Sequence, residues 1–381
     1  MTLMFFARLP MTAMGVTLTL YVVQNLGRGY GEAGLVGTAT MLGSALGSPL
    51  VGRMIDKYGL RPVVAVCGVA STTFWISAPH LSYLWLLLVA LPGGLLAIPS
   101  GSIARQVLAA LVPESQRRAA YSLDSVSVEA SFMIGPSVGI LAITQLPAST
   151  AFTGVGVCFG LTAVLLYLTN LPIRGEDDSR PKIAGPRPAL RTWLSGRLIA
   201  TLLVAAGALF TLVGTEVAAL ASLRATGDVG WTGLVITVMC VASVIGGIVH
   251  GAVAKSLTQT KLMLLLTLLV LPVGLFDQPW WLLMIALFPT NLVCAPTLAA
   301  TTESVSKLAP ATVRGEAMGL QDSATRLGLA VGSPVVGFAI DHSSPGWGFV
   351  AAGLGGLVLA GLGLIWKRRS ATAGRVPALT S

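Results

Sequence analysis

The chain reads as an all-α integral membrane protein with twelve transmembrane helices arranged as two pseudo-symmetric six-helix bundles. Three observations predict this. Of 381 residues, 54% are apolar and 10% charged, against about 25% charged in soluble domains. The uncharged runs divide into twelve stretches near the length that crosses a bilayer, about 20 residues each. Third, the sequence repeats itself at an offset of 197 residues. This balance excludes an ordinary soluble enzyme.

Met1–Val23, interrupted by Arg8, is span 1; without a small-residue cleavage site it reads as a retained span. Ala33–Gly52 is span 2. Pro62–Ala104 carries no charge and is too long for one helix, so it divides at Ser77-Ala-Pro-His80 into spans 3 and 4. Ala119–Thr144 and Ser149–Asn170 are spans 5 and 6, parted by Gln145-Leu-Pro147. The second half supplies Leu198–Ser222, Val229–Ala254, Leu262–Phe276, Gln278–Thr302, Ala317–Ile340 and Pro345–Trp366. The domains expected are a bundle over 1–170, a Pro-rich charged linker over 171–196, a bundle over 197–366 and a tail over 367–381.

Basic residues orient the chain. With both termini in the cytoplasm, 20 of the 24 Lys and Arg fall in cytoplasmic segments, only Arg28 and Arg224 fall outside, and Arg8 and Arg326 lie within spans. That asymmetry is the positive-inside pattern. It accounts for the net charge of +9 as a matter of topology and attraction to anionic lipid, with no nucleic-acid partner needed.

In the repeat, Pro92, Pro99 and Pro113 match Pro289, Pro296 and Pro310, and Arg117, Ala120, Leu123 and Gly135 match Arg314, Ala317, Leu320 and Gly332. A six-span repeat preserves orientation, and such parallel repeats place a substrate site near the bilayer midplane between the halves. After span 2 the chain reads Gly52-Arg-Met-Ile-Asp56-Lys57-Tyr-Gly59-Leu-Arg61-Pro62. With twelve spans as six plus six, this resembles the major facilitator superfamily and its signature between helices 2 and 3. Gly135-Pro136-Ser-Val-Gly139 resembles the core of the helix-5 motif of that family's exporters. The family's helix-4 arginine motif is missing, Leu91-Pro-Gly-Gly94 standing there, and the second copy of the loop signature, near Gly251–Lys261, is degenerate.

The resemblance implies a secondary active transporter of the bacterial cytoplasmic membrane, able to work as a monomer. Its leading reading is proton-coupled export of small amphipathic organic molecules by alternating access. It implies that Asp56 latches onto the N-terminus of helix 11, near Arg314–Ala317, and that Gly135, Pro136 and Gly139 shape a contact with Gly247 and Gly251 of helix 8. Pro92 with Pro99, and Pro289 with Pro296, are seven residues apart on one helical face; the resemblance implies that helices 4 and 10 line the cavity, so the pairs read as bends that let those helices gate.

Charges inside spans are costly and therefore informative. Glu129 lies roughly 15 Å into helix 5 at 1.5 Å per residue, and Arg326 occupies its 197-offset position. The pair reads as a substrate or proton-coupling site, with Glu129 as proton carrier, or as a static ion pair. Arg8 binds an anion or snorkels to the surface. Glu216 reads as a rim carboxylate; Asp124, Glu316 and Asp322 read as first-turn acids that suit the helix dipole. The four cysteines and three histidines lack metal or redox spacing, and no phosphate loop or nucleophile elbow is present. No cofactor or metal is expected. The alternatives are an organic-anion or metabolite transporter using Arg326 and Arg8, and a non-transporting sensor or scaffold of the same fold.

Overall fold

A computed structural model describes residues 2–28, 30–173, 189–253 and 256–373. The stretch 174–188 of the expected linker, Lys255 and the tail from 374 lie outside the described residues. Regular structure among the described residues is helical throughout. The first half contains α1 Thr2–Gln24, α2 Tyr30–Tyr58, α3 Leu60–Ser77, α4 Tyr83–Leu95, α5 Ser100–Leu111, α6 Arg117–Gln145 and α7 Ala148–Thr169. The second contains a short α8 Leu190–Trp193, then α9 Gly196–Ala225, α10 Thr232–Ala252, α11 Gln259–Val270, α12 Trp280–Leu292, α13 Cys294–Leu308, α14 Arg314–Asp341 and α15 Pro345–Ala373.

Eleven helical stretches are long and apolar enough to cross a membrane, α4–α5 and α12–α13 counting once each, and Gln259–Leu275 is a shorter twelfth. The shortness has a cause. Pro272 removes a backbone donor, and α11 passes into a 3-10 turn over Leu271–Leu275. The expected break between spans 3 and 4 is a 3-10 turn, Ala78–His80.

One expectation about the prolines is corrected. Pro92 and Pro99 do not share a helical face, because the helix ends at Leu95 and Pro99 is the N-cap of α5. Pro99 has no N–H to continue the ladder, and Gly93-Gly94 just before it are weak helix formers. In the second half the interruption shrinks to Val293, with Pro289 inside α12 and Pro296 in the first turn of α13.

The chain forms two compact units. Unit one comprises Met1–Arg117, Val126–Arg180 and Ala311–Ser323; unit two comprises Arg118–Ser125, Pro181–Pro310 and Ala324–Ser381. In unit one, Tyr21, Trp75, Phe152 and Phe159 tie α1, α3 and α7 together, with Tyr21 and Phe152 centroids 4.8 Å apart and Trp75 and Phe152 at 5.3 Å. In unit two, α9 packs along α15, and Phe210, Leu223, Val235 and Phe349 fill the core. Buried hydroxyls bond within the helices, as Thr17 does to the Ala13 carbonyl and Thr40 to that of Val36, both at 2.9 Å. The outer surface stays apolar: Val69 is 69% and Leu168 66% exposed. An apolar exterior, with buried hydroxyls bonded back to their own helices, is what a bilayer solvent demands.

Candidate functional site

Asp56 stands in the last turn of α2, where a carboxylate opposes its own helix dipole. Its Oδ1 accepts the Gly315 N–H at 3.1 Å and its Oδ2 the Glu316 N–H at 2.9 Å. These amides open α14, so they lack partners inside that helix and carry its positive end. Close approach makes this possible. A Cβ on Gly52 would run into the Gly315 carbonyl, and one on Gly315 into Asp56. Gly59, at φ +87°, provides the left-handed residue that ends α2. The motif's cations turn elsewhere. Arg61 donates through Nε to the Tyr167 carbonyl of α7 at 3.1 Å, and the Lys57 ammonium lies 4.8 Å from the Tyr58 ring centroid.

Further along, α14 runs antiparallel to α2. Gly319 abuts the Ser48 carbonyl and Pro49, and Ser323 donates to the Ala45 carbonyl. Between them Asp322 accepts the Ser48 hydroxyl at 2.6 Å through Oδ2 and pairs with Arg105 of α5 at 3.4 Å through Oδ1. The first-turn reading of Asp322 is therefore corrected. The helix starts at Arg314, so Asp322 lies more than two turns in and serves side chains of other helices. Asp124 is likewise well inside α6 and buried.

Unit two holds a counterpart the sequence reading missed. Arg118, at the start of α6, donates to the Val253 carbonyl at 3.1 Å, and its Nε lies 3.6 Å from Glu303, which also pairs with Lys307 at 2.8 Å. Beside it His250 shares a short hydrogen bond with Ser256, and Gly251 faces Ala119 and Ser122. By the 197 offset, Val253 matches Asp56 and Gly315 matches Arg118. The same two positions meet in both units with side chain and main chain exchanged: positions 56 and 253 accept, and positions 315 and 118 donate.

Of the in-span charges, Arg8 is 5% exposed and reaches Ser127 of α6 at 3.5 Å. It points into the unit, so the snorkelling reading is corrected. Glu129 lies in unit one and Arg326 in unit two, both half-buried. Glu216 is exposed on α9. The neighbours that Gly135 and Gly139 abut are on α1, not the expected glycines of helix 8: Thr12 for Gly135, and Ala13 and Thr17 for Gly139. Thr12 reinforces that contact by donating to the Ser131 carbonyl at 2.9 Å. Pro136 lies inside α6, which continues past it to Gln145.

The profile of the family described as Major Facilitator Superfamily matches residues 1–276 and 217–379. The chain belongs to that superfamily. With helices long and apolar enough to cross a membrane many times, it is a multi-pass membrane protein. It is 27% identical over 190 residues to "Multidrug efflux pump Tap" of Mycobacterium tuberculosis, covering 45% of each chain. It is 31% identical over 153 residues to "Multi-drug resistance efflux pump PmrA" of Streptococcus pneumoniae, covering 38% of this chain and 37% of that one. These matches thus span less than half of either relative. A "Tetracycline resistance protein, class E" of Escherichia coli is 23% identical over 318 residues, covering 79% of this chain and 76% of that protein. Among solved structures, a bacterial homologue of the iron transporter ferroportin superposes with TM-score 0.74 at 16% identity over 97% of this chain and 99% of that one. The human organic anion transporter MFSD10 superposes with TM-score 0.72 at 18% identity over 95% and 98%. At such identities these two speak to the fold alone.

Proposed function

We propose that this superfamily member exports small amphipathic organic molecules across a bacterial cytoplasmic membrane, driven by protons and working by alternating access. The observation that carries the reading is the pair of hydrogen bonds that Asp56 accepts from the start of α14. It is compact, charge-assisted and reversible, as a contact broken and remade in each transport cycle must be. The names of the three efflux and resistance relatives supply the direction and the class of solute. Glu129, half-buried on α6, is the favoured proton carrier, and the proline pairs flanking the α4–α5 and α12–α13 breaks are the favoured bends. Arg326 takes part in coupling or substrate contact.

A second reading has an observation of its own. A nearly buried guanidinium at Arg8 suits an organic anion as cargo. An accumulation panel in an efflux-deficient bacterial host separates the two, comparing wild type, Glu129→Gln and Arg8→Gln with and without a protonophore. Lower accumulation of cationic or neutral amphiphiles, abolished by the protonophore and by Glu129→Gln, is the expected result. Selective loss of anion efflux in Arg8→Gln would favour the second reading. Accumulation equal to empty vector for every compound would sink both.

A further inference from the structure

We propose that Asp322 is a proton-binding site that locks α14 onto α2 when ionised and releases it when protonated. It deepens the proton-coupled reading, on which only its role in transport rests. The seam between these helices is held at one end by Asp56 and at the other by Ser323, and is lined by Gly52, Gly315 and Gly319, which let the two backbones nearly touch. Asp322 sits between those ends. From α2 it is faced by the Ser48 hydroxyl and from α5 by Arg105, both bonding its carboxylate oxygens. Along α14 the nearest charged residues are Glu316, six residues before, and Arg326, four after. Arg53 and Asp56 lie further down α2, with both Asp56 oxygens engaged by α14 amides.

Both members of the ion pair are 13% exposed, so neither charge is fully hydrated. Arg105 Nε has no hydrogen-bond partner among the described residues, and Asp322 is the carboxylate that pairs with this guanidinium. A proton added to Asp322 gives a neutral acid and strips Arg105 of that counter-charge. A buried cation left so is strongly unfavourable. The arrangement relaxes if the seam parts and water reaches Arg105. By linkage, whatever parts the seam also favours protonation of Asp322, so proton uptake and seam opening promote each other.

The test reads the seam directly. Spin labels are placed on cysteines at Tyr58 and Thr312, both exposed positions, after the four native cysteines are replaced. Pulsed-resonance distances are then recorded in nanodiscs from mildly alkaline to mildly acidic buffer. The expected result is a shift of about tenfold from the short to the long population as pH falls, a typical coupling size. Asp322→Asn should show the long population at every pH, while Asp322→Glu should keep the response and show that the site tolerates substitution. Asp56→Asn should loosen the seam yet keep its pH response. The proposal is overturned if wild type shows no response, if the response survives Asp322→Asn, or if Asp56→Asn alone abolishes it. A normal response in protein that exports nothing would leave the site standing and sink the transport reading instead.

Discussion

Two amides at the start of α14 have no partners within their own helix, and Asp56 takes both. Hydrogen bonds to a charged acceptor are worth about 1.5–3 kcal/mol each. Asp56→Asn keeps one acceptor oxygen and loses the charge, so proton-driven efflux should fall about tenfold at matched expression, as measured by initial rates in everted vesicles. An unchanged rate would mean the contact does not govern the cycle. That Asp56 needs a partner was legible from its unfavourable helix dipole, and the resemblance pointed to the start of α14, where the contact is found. Asp322 was misread because its partners lie 217 and 274 residues away. No local pattern records such a distance. Arg8 had two readings for a related reason: a cation near a helix end can turn outward or inward, and only its packing against α6 decides.

At the scale of elements, the α2–α14 seam depends on the absence of side chains. Adding a methyl at Gly319 would drive it into the Ser48 carbonyl, whereas Gly37 on the same α2 has nothing within 4 Å. Overpacking costs roughly 1–3 kcal/mol, while Gly→Ala at an open helical position gains up to about 1 kcal/mol. Gly319→Ala should therefore lower the apparent Tm in detergent by a few degrees and Gly37→Ala should leave it level or raise it. Equal effects would show that the close approach contributes nothing. Small residues announce a close contact without naming the neighbour, which is why Gly135 and Gly139 were assigned to helix 8 and pack on α1. Prolines announce an interruption without fixing its width, which is four residues after α4 and one after α12.

For the whole molecule, twelve spans and their repeat were legible because hydrophobic length is a one-dimensional property that a bilayer reads directly. The basic residues predict which ends face the cytoplasm. Thr312→Cys, in a cysteine-free background, should react with a membrane-impermeant maleimide only after permeabilisation. Asp228→Cys should react in intact cells. The reverse pattern would invert the assigned orientation.

The exchanged junction in unit two bears on ancestry. At positions 56 and 315 a side-chain oxygen accepts from main-chain nitrogens; at positions 253 and 118 a side-chain nitrogen donates to a main-chain oxygen. A search by residue identity sees a motif kept in one copy and eroded in the other. The duplicated halves instead inherited a meeting point and were free to change which partner brings the charge. In one copy acid acts on the carboxylate that makes the contact; in the other it acts on Glu303 and His250 beside the guanidinium that makes it. Divergence after duplication has thus left the two copies unequal in what acid can do to them.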